Sequence, residues 1–232
     1  LADVYVCTDW KGLAEYSTIA VVEVGYYAKT RGVEGADVAR FDARDLVPNF
    51  EIPHMERVKG EGYEALIDRM AHELAEHPSF MTKSVELVLG IDDTGMAIEY
   101  FLEELDEEPV LMSISATGSV SRLVDGVFMV PRHELITALA SAYRSGLVRT
   151  AADLELIEIL DSQLVNLRIR TDTGVTINRN SQATGYDDLV RAVGMGVWKA
   201  RQDHETEKTY ADRLQEEFSA PQQWDVFSRY KE

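Results

Sequence analysis

The sequence predicts an α/β protein built on one mixed sheet of five or more strands, flanked by helices and carrying an added hairpin. Three observations predict it. Residues 3–9 and 18–27 are β-branched, apolar-rich runs joined by a connection short enough for an antiparallel hairpin, and residues 36–42 follow as the third strand of a meander. Residues 85–95 (Val-Glu-Leu-Val-Leu-Gly-Ile-Asp-Asp-Thr-Gly) form an apolar run closed by a turn signal, which suits a strand buried on both faces. Segments of helical period then alternate with further strands, giving the order βββαβαβ before a hairpin and more helices.

Taken in order, residues 48–62 read as loop. Residues 63–76 read as a helix, with Leu66, Met70 and Leu74 on one stripe. After the strand at 85–91 comes a helix at 96–105 with an acidic outer face, then a strand at 109–116. Residues 117–130, with Gly118 and Gly126 among alternating residues, read as a hairpin. Pro131 has the fixed φ suited to a first helical turn, and Gly146 caps the end of the helix it opens. Thr150 or Asp153 caps the next helix, which turns Leu156, Ile159 and Leu160 inward. Residues 167–170 and 175–178 flank Asp-Thr-Gly, a hairpin signal. Gly185 precedes a helix over 186–200. Beyond Arg201, Tyr210, Leu214 and Phe218 form a stripe four apart, followed by a tail with Trp224 and Phe227. The expected organisation is a catalytic domain over 1–201 and a C-terminal amphipathic helix and tail over 202–232.

Composition narrows the function. With 232 residues, 45% of them hydrophobic, the chain can bury a substantial core. No apolar run approaches the roughly 20 residues that span a bilayer, and the start lacks the basic region of a signal peptide. The single cysteine, Cys7, excludes an internal disulfide and suits a reducing compartment. A net charge of −18 argues against nucleic acid at first sight, but the distribution softens the objection. Residues 34–108 hold 20 acids and 6 bases, whereas residues 109–201 hold 9 acids and 10 bases, nearly all of the latter arginine. Arginine pairs with phosphate bidentately. A salt-adapted source or a basic partner domain would each account for the acidic half.

The acids carry the chemistry. Asp9 ends the first strand and Asp92 ends the buried strand; if those strands are neighbours, their carboxylates meet and repel unless a divalent cation neutralises them. The plainer reading of Asp92 and Asp93 is an acidic turn capping the next helix. Gly185-Tyr186-Asp187-Asp188-Leu189-Val190-Arg191-Ala192 adds two more acids. Asp188 shares a helix face with Ala192 and Gly196, small residues that allow close packing on a sheet, while Asp187 shares one with Arg191, expected to look at solvent. Asp188 is the metal candidate and Asp187 the cap or auxiliary ligand, unless both acids simply favour the helix N-terminus. Glu15 either orients a second metal or is an ordinary loop acid. The five histidines show no zinc spacing, and Ser113, Ser115, Ser119 and Ser121 lack a Gly-x-Ser-x-Gly elbow. Arg122, Arg132, Arg144, Arg149, Arg168, Arg170 and Arg179 are candidate phosphate contacts or ordinary surface charges, with Arg122 and Arg132 the two singled out.

Four segments together resemble a known family: Tyr5 to Trp10 followed by Glu15-Tyr16-Ser17-Thr18-Ile19-Ala20; Gly60-Glu61-Gly62-Tyr63; Ile91-Asp92-Asp93-Thr94-Gly95; and Gly185 to Ala192. They resemble the nuclease domain of the large terminase subunit of tailed double-stranded DNA viruses such as bacteriophages, a branch of the RNase H-like superfamily. The third segment matches that family's Asp-Ala-Thr-Gly. The fourth matches its Gly-His-Asp-Asp-Leu-Val-x-Ala, with Tyr186 in place of the histidine.

The resemblance covers about residues 3–201 and implies a two-metal endonuclease cutting concatemeric viral DNA during genome packaging. Asp9, Asp92 and Asp188 would be catalytic and, with Asp187 and Glu15, would hold two Mg²⁺ or Mn²⁺ ions. The implied partners are double-stranded DNA, the terminase ATPase domain, the small terminase subunit and the capsid portal, in the host cytoplasm and away from membranes. No Gly-x-x-x-x-Gly-Lys-Ser/Thr occurs, so the ATPase is expected upstream, as the absent initiator Met also suggests. The alternatives are a RuvC-like or other RNase H-like nuclease, and a non-catalytic module docking the motor to the portal.

Overall fold

The structure is a computed structural model that describes residues 2–10, 16–28, 46–60, 63–70, 80–91, 109–115, 118–151, 154–166, 169–171, 175–177 and 187–219. β1 (Val4–Asp9) pairs antiparallel with β2 (Tyr16–Ala28), which pairs antiparallel with β3 (Leu46–Lys59). On its other side β1 takes β4 (Val85–Ile91) in parallel, and β4 takes β5 (Val110–Ser115) in parallel. The hairpin β6 (Arg122–Val124) and β7 (Val127–Pro131) extends that edge, and β8 (Val148–Thr150) closes the other. The sheet order is β6-β7-β5-β4-β1-β2-β3-β8. A meander whose first strand also carries two parallel strands is the RNase H-like arrangement, so the predicted fold class holds.

Both faces of this sheet are covered. On one lie α2 (Arg132–Arg144), α3 (Ile157–Asn166) and α4 (Asp188–Ser219), over Tyr5, Cys7, Ala20, Val22, Phe50 and Met55. On the other, Leu66 of α1 (Tyr63–Asp68) and Met70 just beyond it pack with Val4, Val6, Ile19, Val21 and Val58. The complete burial of β1 follows from its central place between β2 and β4 under two helical layers. A second sheet holds only β9 (Ile169–Thr171) and β10 (Val175–Ile177), at the predicted hairpin.

One expectation fails clearly. Residues 46–59, read mostly as loop from Pro48 onward, form the third strand of the meander. Its alternation is broken by a bulge: Val21 pairs with His54 and Glu23 with Glu51, leaving Ile52 and Pro53 opposite Val22. A bulge is one of the few strand positions that tolerates proline, and the extra residue shifts the buried parity from Phe50 and Ile52 to Met55. The strand expected at 36–42 and the helix expected at 96–105 lie outside the described residues, as do Leu74, Trp224 and Phe227. β8 was not foreseen.

Elsewhere the turn chemistry is as read. Asp125 and Gly126 have φ of 50° and 82°, the doubly left-handed pair of a tight β6–β7 turn. Gly146, at φ 68°, ends α2. Pro131 stands just before α2 rather than inside its first turn. α4 runs through Arg201 without interruption.

Close packing of α4 on the sheet depends on two glycines. A Cβ on Gly196 would come within 2.7 Å of Val22 Cγ2, and one on Gly90 within 2.8 Å of the Thr8 carbonyl oxygen and 3.1 Å of Met195 Sδ. The small-residue face predicted for Asp188, Ala192 and Gly196 is therefore the face that meets the sheet.

Candidate active site

The site is built on one cross-strand row. Asp9 at the end of β1 lies opposite Thr18 of β2, and Thr18 opposite Arg57 of β3. Directly opposed residues point to the same face of a sheet. Thr18 and Arg57 both reach Asp188 on α4, so the row faces that helix.

Asp188 is fully buried and both its oxygens are engaged. Oδ2 accepts from Thr18 Oγ1 at 2.8 Å and Arg57 Nε at 2.7 Å; Oδ1 accepts from Gln163 Nε2 at 2.7 Å and Arg57 Nη2 at 3.4 Å. The Arg57 fork is bidentate, the strong geometry for a carboxylate. Gln163 of α3 also accepts from the Val190 backbone N–H, which ties α3 to the first turn of α4.

Asp9, 1% exposed, pairs through Oδ1 with Arg191 Nη2 at 2.9 Å. Arg191 was expected to look at solvent and instead is 7% exposed. Nearly every side chain in the first three turns of α4 is buried, because the helix lies under α2 and α3 as well as over the sheet. A guanidinium there needs a carboxylate, and Asp9 supplies it. Asp187 precedes the helix, accepts the Arg191 backbone N–H on its carbonyl, and pairs through its carboxylate with Arg132. Each of the three described acids is thus matched by an arginine.

Arg132, one of the two arginines singled out as DNA contacts, belongs to the site through Asp187. Arg122 does not: its strand is four places from β1 in the sheet, about 19 Å at the usual strand spacing. Asp92 and Glu15 lie outside the described residues. Arg57, Gln163 and Arg191 are the partners of these acids that sequence reasoning missed. Arg57 and Gln163 gave no separate signal, while Arg191 stood in the Asp187–Ala192 motif and was assigned the wrong face.

The donor chemistry fits a hard divalent cation. Asp9 of β1 and the Asp187–Asp188 pair at the start of α4 are linked through Thr18 and Arg191, and carboxylates without thiolate or imidazole are the donor type that suits Mg²⁺ or Mn²⁺. Among the described residues no group of three metal-binding side chains gathers. Asp188 could join such a set only by giving up a donor it now has, whereas Asp187, with a side chain 15% exposed, is nearer the open end.

Away from the acids, a cavity of about 330 Å³ lies between α2 and α4, lined by His133, Glu134, Trp198 and Arg201 among others. At the opposite end of β1, Lys199 binds Glu86 and Asp203, and the Tyr5 hydroxyl donates to Asp203 Oδ2 at 2.8 Å. Burial first, then the Asp203 carboxylate, raises the Tyr5 pKa; burial likewise raises that of the Cys7 thiol.

No known family model matches the sequence, and no curated protein matches it. Solved structures do. The large terminase nuclease from thermophilic phage G20c is 19% identical, with 84% of this chain and 81% of that one covered at a TM-score of 0.44. The human cytomegalovirus terminase nuclease domain, Mn soaked, is 15% identical, with 88% and 84% covered at 0.48. Among the described residues no helix is long and apolar enough to cross a membrane.

Proposed function

We propose that this chain is a metal-dependent DNA endonuclease that cuts concatemeric viral DNA during genome packaging, the nuclease part of a large terminase subunit. The observation that carries the reading is the placement of buried Asp9 and buried Asp188 around Thr18, which stands opposite the one across β1 and β2 and donates to the other. Burying several acids is costly, and a fold keeps such an arrangement where the charge is used. Asp92 belongs to the proposal as well. It rests there on the resemblance of Ile91-Asp92-Asp93-Thr94-Gly95 to the terminase motif.

Asp9, Asp92 and one acid of the Asp187–Asp188 pair would hold the cations, Mg²⁺ or Mn²⁺, two in number, with Glu15 as an auxiliary ligand. Of that pair, the bound state of Asp188 favours Asp187 as the ligand and Asp188 as the group that fixes the start of α4. Bound there, the cations supply positive charge to the scissile phosphate and make water more acidic. The chain's own part is positioning. Thr18, Arg57 and Gln163 fix Asp188, and Arg191 and Arg132 hold Asp9 and Asp187 in place. The motif resemblance supports double-stranded DNA as substrate, and the ATPase domain, small subunit and portal as partners in the host cell.

The test is plasmid cleavage with Mg²⁺ or Mn²⁺ by the wild type, Asp9→Asn and Asp92→Asn. Each substitution is expected to lower the rate by about 100-fold or more. Metal-dependent cutting that survives both would reject the proposal.

A further inference from the structure

Beside the acids, the rim of the site carries a cation of a different kind. Tyr16 and Lys59 are directly paired on β2 and β3, two residues beyond the Thr18–Arg57 pair and on the same face of the sheet. That offset places them about 7 Å further toward the end where β1 leaves the sheet. The Arg57 guanidinium stacks on the Tyr16 ring at 4.2 Å from its centre while it holds Asp188. The Lys59 ammonium lies 5.3 Å from the same ring centre. Lys59 is exposed, and among the described residues it has no carboxylate partner, unlike Arg57, Arg69, Lys83, Arg132, Arg191 and Lys199. β3 ends at Lys59, and Gly60 follows with φ 78°.

We propose that Lys59, held over Tyr16, binds a backbone phosphate of the DNA strand whose neighbouring phosphate enters the acid site. This rests on the nuclease reading above and adds to it a residue that positions the strand. For a strand approaching Asp9, an ammonium that no described carboxylate pairs offers a phosphate contact one step away. The Tyr16 ring supports the lysine without competing for its hydrogen bonds, since a ring face attracts a cation yet offers no carboxylate. Because Arg57 stacks on the same ring, a phosphate bound here sits one side chain from Asp188.

The test is equilibrium binding of a short labelled duplex to the full chain, with EDTA present, followed by fluorescence anisotropy across a salt series. Lys59→Gln should flatten the slope of log K against log salt by about 0.9 and weaken binding up to roughly eightfold near 0.1 M salt, the effect of one released counterion. Lys59→Arg should restore both, and Tyr16→Ala should fall between. In cleavage assays Lys59→Gln should raise KM and leave kcat unchanged. An unchanged salt slope in Lys59→Gln, or a wild type that does not bind duplex, overturns the proposal. If the slope is unchanged while Asp9→Asn abolishes cutting, the phosphate contact fails and the nuclease reading stands. If Lys59→Gln flattens the slope while cutting survives Asp9→Asn and Asp92→Asn, the contact stands and the acid site fails.

Discussion

Arg57 is the most exacting place to test the energetics of the site. Arg57→Leu removes the guanidinium and leaves the Asp188 carboxylate, fully buried, with only the neutral donors Thr18 and Gln163. Breaking a buried ion pair by removing one partner costs about 3–5 kcal/mol. The Arg57 side chain keeps 14% exposure, so the lower half of that range applies. At about 2–4 °C per kcal/mol for a chain of this length, the melting temperature should fall by roughly 6–16 °C. The assay is calorimetry in EDTA of the wild type, Arg57→Leu, Asp188→Asn and the double variant. The double should be less destabilised than the sum of the singles by more than about 1 kcal/mol, because each single strands the other's partner. A melting temperature for Arg57→Leu within about 2 °C of the wild type, or singles that simply add, would refute the reasoning.

Other outcomes follow from the same geometry. Gly196→Ala puts a methyl into Val22 and should cost about 1–3 kcal/mol, seen as a lower denaturant midpoint. Arg191→Met removes the described ion-pair partner of the buried Asp9 carboxylate and should destabilise the metal-free protein by about 3 kcal/mol or more; Mn²⁺ should recover part of that in a melting experiment, and no recovery would argue against a cation beside Asp9. Burial, with Asp161 adding to it, pushes the Tyr143 pKa up to about 12, so its protonated form is favoured by the fold. The associated stability is complete below the unfolded tyrosine value near 10 and should decline as pH rises from there toward 12, checked by alkaline unfolding with absorbance of tyrosinate. Cys7 should stay unreactive to a thiol reagent until the chain unfolds, since burial holds it as a thiol; reaction at the native state's full rate would contradict its position.

Much of the site's frame was legible from local pattern. β1 and β4 are periodic, apolar and bounded, and their parallel pairing brings Gly90 beside Asp9. Gly196 and Ala192 announced a helix face that must approach a sheet, and the structure seats that face on Cys7 and Val22. Two readings failed because the deciding partner is remote. The segment from Pro48 onward read as loop, yet the bulge opposite Val22 accommodates Pro53 and the strand continues to Lys59. Arg191 has the helical spacing of a surface residue, but its side chain is buried and reaches Asp9 at the end of β1.

The chain alone therefore determined most of the described element types, the α/β class, the acids at strand and helix ends, and the glycines where backbones approach. These follow from periodicity, turn chemistry and side-chain size, which act within a few residues. Only the tertiary structure decided which charge meets which: Asp9 with Arg191, Asp187 with Arg132, and Asp188 with Arg57, Thr18 and Gln163. Those pairings come from strand register and from where α2, α3 and α4 cross the sheet. The energy that selects them is the desolvation of buried charge, which no stretch of sequence carries by itself.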